Sequence, residues 1–304
     1  MRIVYFGTPS DAVPPLRALV NAGHDVALVV TQPDRRRGRR GNEVVASAVK
    51  QSASEMGLAI ATPERSREIV ETVRGLRASL GVVVAFGQLL PAELLAATEY
   101  GFVNMHFSLL PRWRGAAPVE RAILAGDAET GATIMAMEAG LDTGGIFAER
   151  RVPITGTVTA GELRAQLVEV GTALLISELP SIPGRVPIPQ HGEVVYAAKL
   201  EVAEFRLDAA RPASELALRV RAGNPKPGAF MMIAGTRVKV TRARVASGAE
   251  VAGAPDAVAS ISVTGVLRCA EGLLVLEEVQ PEGKKPMAAR AWRAGIREAV
   301  TLDG

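Results

Sequence analysis

Asn104 and His106 stand two residues apart in NMHFSLLPRWRG (104–115), directly after the apolar pair Phe102–Val103. On an extended strand, residues i and i+2 project to one face, so this amide and this imidazole point the same way. Paired donors of that kind can hold the oxygen of a carbonyl as negative charge develops on it. The alternative is an amide and an imidazole that merely cap a strand end. A carboxylate stands further along, Asp142 in the glycine-punctuated stretch AGLDTGG (139–145). Such loops let the backbone approach a ligand closely, and a carboxylate beside an imidazole fixes its tautomer; the plainer reading is a turn aspartate. Taken together, Asn104, His106 and Asp142 suit polarisation of a carbonyl and management of a proton without a covalent enzyme intermediate. Ser108, two residues beyond His106, sits in a Leu-Leu-Pro turn and reads as structural.

These residues need elements to hold them. The first half alternates strand-like and helix-like segments: RIVYF (2–6), a helical spacing over 10–22 with Ser10 or Asp11 as N-cap, DVALVVT (25–31), a helix over 43–56, LAIAT (58–62), a polar helix to about 77, LGVVVAF (80–86), PAELLAAT (91–98) with Pro91 in its first turn, FVNMH, APVERAILAG (117–126) and ATIMAME (132–138). The apolar run 80–86 suits a central parallel strand buried on both faces. This alternation predicts an α/β fold with a doubly wound, mostly parallel sheet. Ligands of such sheets sit outside the carboxyl ends of the strands. Gly7, the loop after Thr31, Phe86–Gly87, His106 and the loop after Glu138 all fall at that edge. FGTPSD after the first strand lacks the G-x-G-x-x-G spacing, so NAD or FAD is not expected.

A helix-like stretch over 160–179 closes this unit, and LPSIPGRVPIPQHGE (179–193) is rich in Pro and Gly and reads as a connection. Beyond it come one helix (212–222) and several short strand-like pieces, which suggest a small barrel of the OB type. The expected division is a first domain over 1–185, a linker over 186–205 and a C-terminal β-barrel over 206–304.

With 48% hydrophobic and 22% charged residues the chain reads as globular and not disordered. No apolar run approaches the ~18 residues of a membrane span, and MRIVYFGTPS is broken too early by Gly7 and Pro9 for a signal peptide. The cytoplasm and a monomer are expected. Cys269 is the single cysteine, which excludes an internal disulfide and a cysteine-based zinc cluster, and no metal site is expected. A net charge of +3 says little, but DRRRGRRGNE places five arginines, Arg35, Arg36, Arg37, Arg39 and Arg40, into six positions. That run can be a solvated loop, a phosphate clamp or a contact to an RNA backbone. Few aromatic residues interleave, so base stacking is not suggested.

The stretch VNMHFSLLPRWRGAAPVERAILAGDAETGATIMAMEAGLDTGGIF resembles the formyltransferase family that uses 10-formyltetrahydrofolate, through its N-x-H…S-L-L-P…D arrangement. FGTP, VVTQPDRRRGR, VVVAFGQLLP and SLLPRWRGAAP, with NPKPGAF and GKKPM in the second half, are similar to the methionyl-tRNA branch of that family, and the resemblance spans essentially the whole chain. It implies a Rossmann-like formyltransferase domain with an OB-like C-terminal domain that holds tRNA. It implies 10-formyltetrahydrofolate as formyl donor and methionyl-initiator tRNA as partner, with direct attack of the methionyl amine on the formyl carbon. Asn104, His106 and Asp142 match the family's catalytic trio. Phe86, Gly87, Gln88, Leu89, Leu90, Ser108, Leu109, Leu110, Pro111 and Asp142 are implied for the folate, and Arg35, Arg36, Arg37, Arg39 and Arg40 for the tRNA acceptor end. Lys226 and Ala209 stand where the family often has aromatic residues, both outside the catalytic core. Competing readings are a formyltransferase for an amino-sugar nucleotide, one for glycinamide ribonucleotide, which would normally lack the second domain, and an RNA-binding protein without catalysis.

Overall fold

The apolar run at 80–86 becomes the strand Leu80–Val84, and every residue of it is buried. It lies fourth in a seven-stranded sheet ordered Ile146–Pro153, Glu129–Ala136, Phe102–His106, Leu80–Val84, Arg2–Gly7, Asp25–Val30, Ile60–Ala61. The computed structural model describes residues 1–36, 44–251 and 254–303. Two units emerge: one holds Met1–Gly115, Thr130–Pro153 and Arg164–Ala197, the other Ala116–Glu129, Ile154–Leu163 and the chain from Ala198 onward.

In the first unit the sheet is mostly parallel, as the alternation of elements predicts. Arg2–Gly7 is parallel to both neighbours, and Leu80–Val84 is parallel to Phe102–His106. Glu129–Ala136 runs antiparallel to Phe102–His106. Strands later in the chain extend the sheet to one side of Arg2–Gly7, earlier ones to the other. The order therefore reverses between Arg2–Gly7 and Leu80–Val84, which opens a crevice at their carboxyl ends. Below it Phe6 meets Phe86 and Phe102 edge-to-face, with ring centroids 5.2 and 5.5 Å apart. Gly81 lies opposite Phe102 in register, and a Cβ there would stand 2.1 Å from that ring, so the strand has room for glycine alone.

Two local expectations change, and one strand had no expectation to meet. The helix over 10–22 is a 3-10 turn, Ser10–Ala12, running into Val13–Asn21, and its N-cap is Ala12 rather than Ser10 or Asp11. Pro14 and Pro15 occupy its first turn and have no N–H for a capping side chain to satisfy. The helix over 43–56 is Ala48–Glu55 and starts at Ser47, whose hydroxyl accepts from the Lys50 N–H at 3.0 Å. The strand Ile146–Pro153 gave no apolar signal because it is an edge strand, with Glu149, Arg150 and Arg151 exposed.

The second unit is built on an antiparallel sheet ordered Ala229–Ile233, Thr236–Val245, Leu273–Pro281, Val266–Arg268, Ser260–Ile261, Val300–Thr301. Buried positions in Thr236–Val245 alternate at Val238 and Val240, then shift to Ala243 where the pairing is irregular, a bulge that curls the sheet. Its two ends meet through Asp303: the backbone N–H donates to the Met232 carbonyl at 2.9 Å, and the carboxylate accepts from the N–H groups of Ala234 and Gly235. This is the curled, OB-like sheet expected of the second half. Among the described residues no helix is long and apolar enough to cross a membrane.

Glu162 closes a capping box in the second unit. Its carboxylate accepts from the Thr159 N–H at 2.9 Å and the Thr159 hydroxyl at 2.8 Å, and pairs with Arg242 at 2.8 Å. The Thr159 N–H first, then its hydroxyl and Arg242, hold the Glu162 carboxyl down at about 2 from an ordinary 4.5. A carboxyl depressed on folding stabilises above its unfolded value, and that stabilisation disappears as pH falls toward the folded one. Thermal melts should therefore show Glu162→Gln less stable than the parent at about pH 6, with the gap closing between about pH 4.5 and 2.

Candidate active site

Two residues of one strand and one residue of a distant loop come together at the carboxyl edge of the first unit's sheet. Phe102–His106 is paired on both sides, Asn104 lying opposite Val83 and Met135, and His106 opposite Thr133. Their side chains share a face, as alternation requires, and both reach Asp142. Asn104 Nδ2 donates to Asp142 Oδ1 at 3.5 Å, and His106 Nδ1 stands 3.7 Å from Asp142 Oδ2. The other ring nitrogen of His106, Nε2, lies 2.8 Å from the Trp113 carbonyl. A carbonyl only accepts, so Nε2 carries a proton and Nδ1 is the nitrogen that faces Asp142. The side chains of His106 and Asp142 are 7% and 13% exposed, dry enough to strengthen their polar contacts yet reachable from solvent.

Asp142 is held from several directions. The Gly115 N–H donates to Oδ2 at 2.9 Å. The Gln190 side chain donates to the backbone carbonyls of Asp142 and Gly144 at 2.8 and 2.7 Å, while its oxygen accepts from Arg114 Nε and Nη2 at 3.0 and 2.7 Å. Asp142 has φ of 51°, a left-handed conformation that aspartate tolerates better than most side chains. Gly144 abuts the neighbouring strand so closely that a Cβ would lie 1.9 Å from the Ala136 carbonyl oxygen.

The turn after the strand is internally tied. The Ser108 hydroxyl donates to the Arg112 carbonyl, and the Thr133 hydroxyl donates to the Ser108 carbonyl, both at 2.6 Å. Ser108, Leu110 and Pro111 are buried and Leu109 is half-buried. Across the crevice the loop from Phe86 to Leu90 is equally fixed. The Phe86 carbonyl accepts from Thr8 Oγ1 and Gln32 Nε2 at 2.9 Å each, the Ser66 hydroxyl donates to the Leu89 carbonyl, and Gln88 accepts from the Ser66 N–H. The side chains of Phe86 and Leu90 face the core, whereas Leu89 is 75% exposed. Gly87 has φ of 84°, and a Cβ on it would crowd Gln32 Nε2 at 2.6 Å. Arg35 and Arg36 form a two-residue strand paired with Val44–Val45; Arg37, Arg39 and Arg40 lie outside the described residues.

Four contributors were not singled out from the sequence: Gln190, Arg114, the Trp113 carbonyl and the Gly115 N–H. Two of them are main-chain groups, invisible to reasoning from side-chain type. Gly115 did leave a trace, since only glycine suits its φ of 119° and the Ala197 carbonyl oxygen 2.9 Å from where a Cβ would stand.

Residues 1–179 match the formyl transferase family, and residues 199–297 match the formyl transferase C-terminal domain. The chain belongs to the formyl transferase family. Similar proteins include the methionyl-tRNA formyltransferase of Thiobacillus denitrificans, 46% identical over 97% of this chain and 96% of that protein. That of Paracoccus denitrificans is 45% identical over the full length of both chains. Among solved structures, the N-formyltransferase of Helicobacter canadensis in complex with folinic acid and dTDP-3-aminofucose shares the fold with a TM-score of 0.68 at 17% identity, over 92% of this chain and 98% of that one. HypX of Aquifex aeolicus in complex with tetrahydrofolic acid does so with a TM-score of 0.64 at 16% identity, over 99% of this chain and 50% of that one.

In this formyl transferase the candidate site sets the Asn104 amide and the His106 imidazole beside a carboxylate, with no nucleophilic hydroxyl or thiol among them. Gly115→Ala should release Asp142 Oδ2 and strain the backbone. Urea unfolding should show a loss of about 1–3 kcal/mol, and formyl transfer should fall further than that loss of folded protein explains.

Proposed function

We propose that this formyl transferase moves the formyl group of 10-formyltetrahydrofolate to the free α-amino group of methionyl-initiator tRNA, supporting translation initiation. The observation that carries the chemistry is the convergence of Asn104 and His106 on the Asp142 carboxylate. The relatives named methionyl-tRNA formyltransferase support the acceptor.

In this reading Phe86, Gly87, Gln88, Leu89, Leu90 and Asp142 receive the pterin, and Ser108, Leu109, Leu110 and Pro111 back that site. The residues suit such a ligand. A flat heterocycle with polar edges needs apolar contact and fixed main-chain partners, and the 86–90 loop combines the exposed Leu89 with a backbone anchored by Thr8, Gln32 and Ser66. The incoming amine forms a C–N bond to the formyl carbon, and the formyl oxygen gains negative charge. Asn104 Nδ2 donates to that oxygen, and His106 Nδ1 donates to it when the ring carries a second proton, Nε2 being committed to Trp113. Asp142 orients Nδ1 and takes part in passing the amine's proton on. The bond to the folate nitrogen breaks as that nitrogen gains a proton, so one proton leaves the amine and one reaches the departing nitrogen.

The domains over 1–185 and 206–304, joined by 186–205, divide the work. The first carries the chemistry and the second adds phosphate contacts that three small reactive groups cannot supply. Arg35, Arg36, Arg37, Arg39 and Arg40 reach the acceptor end of the tRNA.

The test is a transfer assay with 10-formyltetrahydrofolate, offering charged initiator tRNA in one reaction and an amino-sugar nucleotide in another. Product is expected in the first alone; product in the second alone overturns the assigned acceptor, and product in neither overturns the chemistry. Asp142→Ala should abolish transfer with an unchanged circular dichroism spectrum, and His106→Ala should lower kcat by about 100-fold or more. Neutralising the five arginines should weaken tRNA binding and flatten the dependence of log Kd on log salt.

A further inference from the structure

Gln190 lies in the Pro- and Gly-rich stretch 179–193, yet its carboxamide uses its full bonding capacity at the active site. The two donations go to the carbonyls on either side of Thr143, and the oxygen accepts twice from the Arg114 guanidinium. The amide orientation is fixed by chemistry, because a guanidinium only donates and a carbonyl only accepts. Arg114 in turn lies between Trp113, whose carbonyl takes His106 Nε2, and Gly115, whose N–H holds Asp142 Oδ2. One side chain thus couples the loop that carries Asp142 to the segment that orients both His106 and Asp142.

We infer that Gln190, acting with Arg114, is a positioning residue that sets the Asp142 carboxylate for formyl transfer, an inference that rests on the role proposed above for Asp142. The contact falls on a residue in an uncommon conformation: Asp142 has φ of 51°, which aspartate tolerates but a non-glycine residue seldom adopts, and the Gln190 amide bonds its carbonyl there. The far end of the loop has anchors besides the Gln190 side chain: the Ala136 N–H to the Gly145 carbonyl at 2.8 Å and the reciprocal backbone bonds of Ile146 and Ile188 at 2.7 and 2.9 Å. What Gln190 adds is confined to Asp142–Gly144, where a small displacement changes the distance from the carboxylate to Nδ1 more than it changes the fold.

Gln190→Glu separates the two halves of this contact. It keeps an acceptor for Arg114, and it sets a carboxylate oxygen against two carbonyls where an N–H pair stood. The expected result is a fall in kcat of about 100-fold, with KM for both substrates moved by less than about threefold and an unchanged melting temperature. Hydrogen exchange should quicken at the amides of 139–145 alone. In an Asp142→Asn background the same change should bring no further loss of residual single-turnover transfer, because both act through one carboxylate. Should Gln190→Glu fail to fold, Gln190→Met, which removes all four bonds at similar volume, takes its place with the same expectations. If Asp142→Asn is inactive while the Gln190 variant keeps kcat within about threefold, or if the two losses multiply, the role of Gln190 is overturned and that of Asp142 stands. Full transfer by Asp142→Asn overturns both.

Discussion

The carboxylate of Asp142 is the point on which the site turns. It belongs to a loop between two strands, but its contacts come from elsewhere: the Gly115 N–H at 2.9 Å, Asn104 Nδ2 at 3.5 Å and His106 Nδ1 at 3.7 Å. Withdrawing a carboxylate from water is costly unless donors meet it, and the Gly115 and Asn104 N–H groups do so here. The segments carrying those donors must therefore be brought together and kept there. Much of the first unit's architecture reads as the means of doing so.

The sheet supplies the fixed half of the arrangement. Asn104 and His106 lie on a strand paired on both sides, so their separation and shared face are properties of the backbone ladder. Buried aromatic packing of Phe6, Phe86 and Phe102 supports the crevice from beneath. The loops supply the adjustable half, and side-chain to main-chain bonds hold them: Thr133 to Ser108, Ser108 to Arg112, Thr8 and Gln32 to Phe86, Gln190 to Asp142 and Gly144. Under the proposed reading, such bonds set the precision of the site from outside the reacting groups.

Glycine marks where backbone comes too close for a side chain. Gly81 beneath Phe102, Gly144 against Ala136 and Gly115 against Ala197 each serve that end, and Gly115 also leaves its N–H aimed at Asp142. A formyl transferase with this set of donors needs no nucleophile of its own, which agrees with direct attack by an amine under the proposed reading. The second unit solves a different problem, curling an antiparallel sheet by a bulge near Arg242 and joining its ends through Asp303.

The alternation of apolar runs with helical spacings carried the sheet, its largely parallel sense and the edge at which Asn104, His106 and Asp142 meet, because period and burial are local properties of the chain. Two-residue spacing carried the shared face of Asn104 and His106 for the same reason, and the family motif linked them to Asp142. The charged edge strand Ile146–Pro153 escaped, since an edge strand need not be apolar, and so did the cap of the first helix, where Pro14 and Pro15 removed the need for one. Only the tertiary structure decided that His106 gives Nε2 to Trp113 and turns Nδ1 to Asp142, and that Gln190 bridges Arg114 to the Asp142 loop. Those contacts join residues up to 76 positions apart, and several are made by backbone groups that every residue possesses. No local pattern encodes them; they exist once packing has fixed where each segment lies.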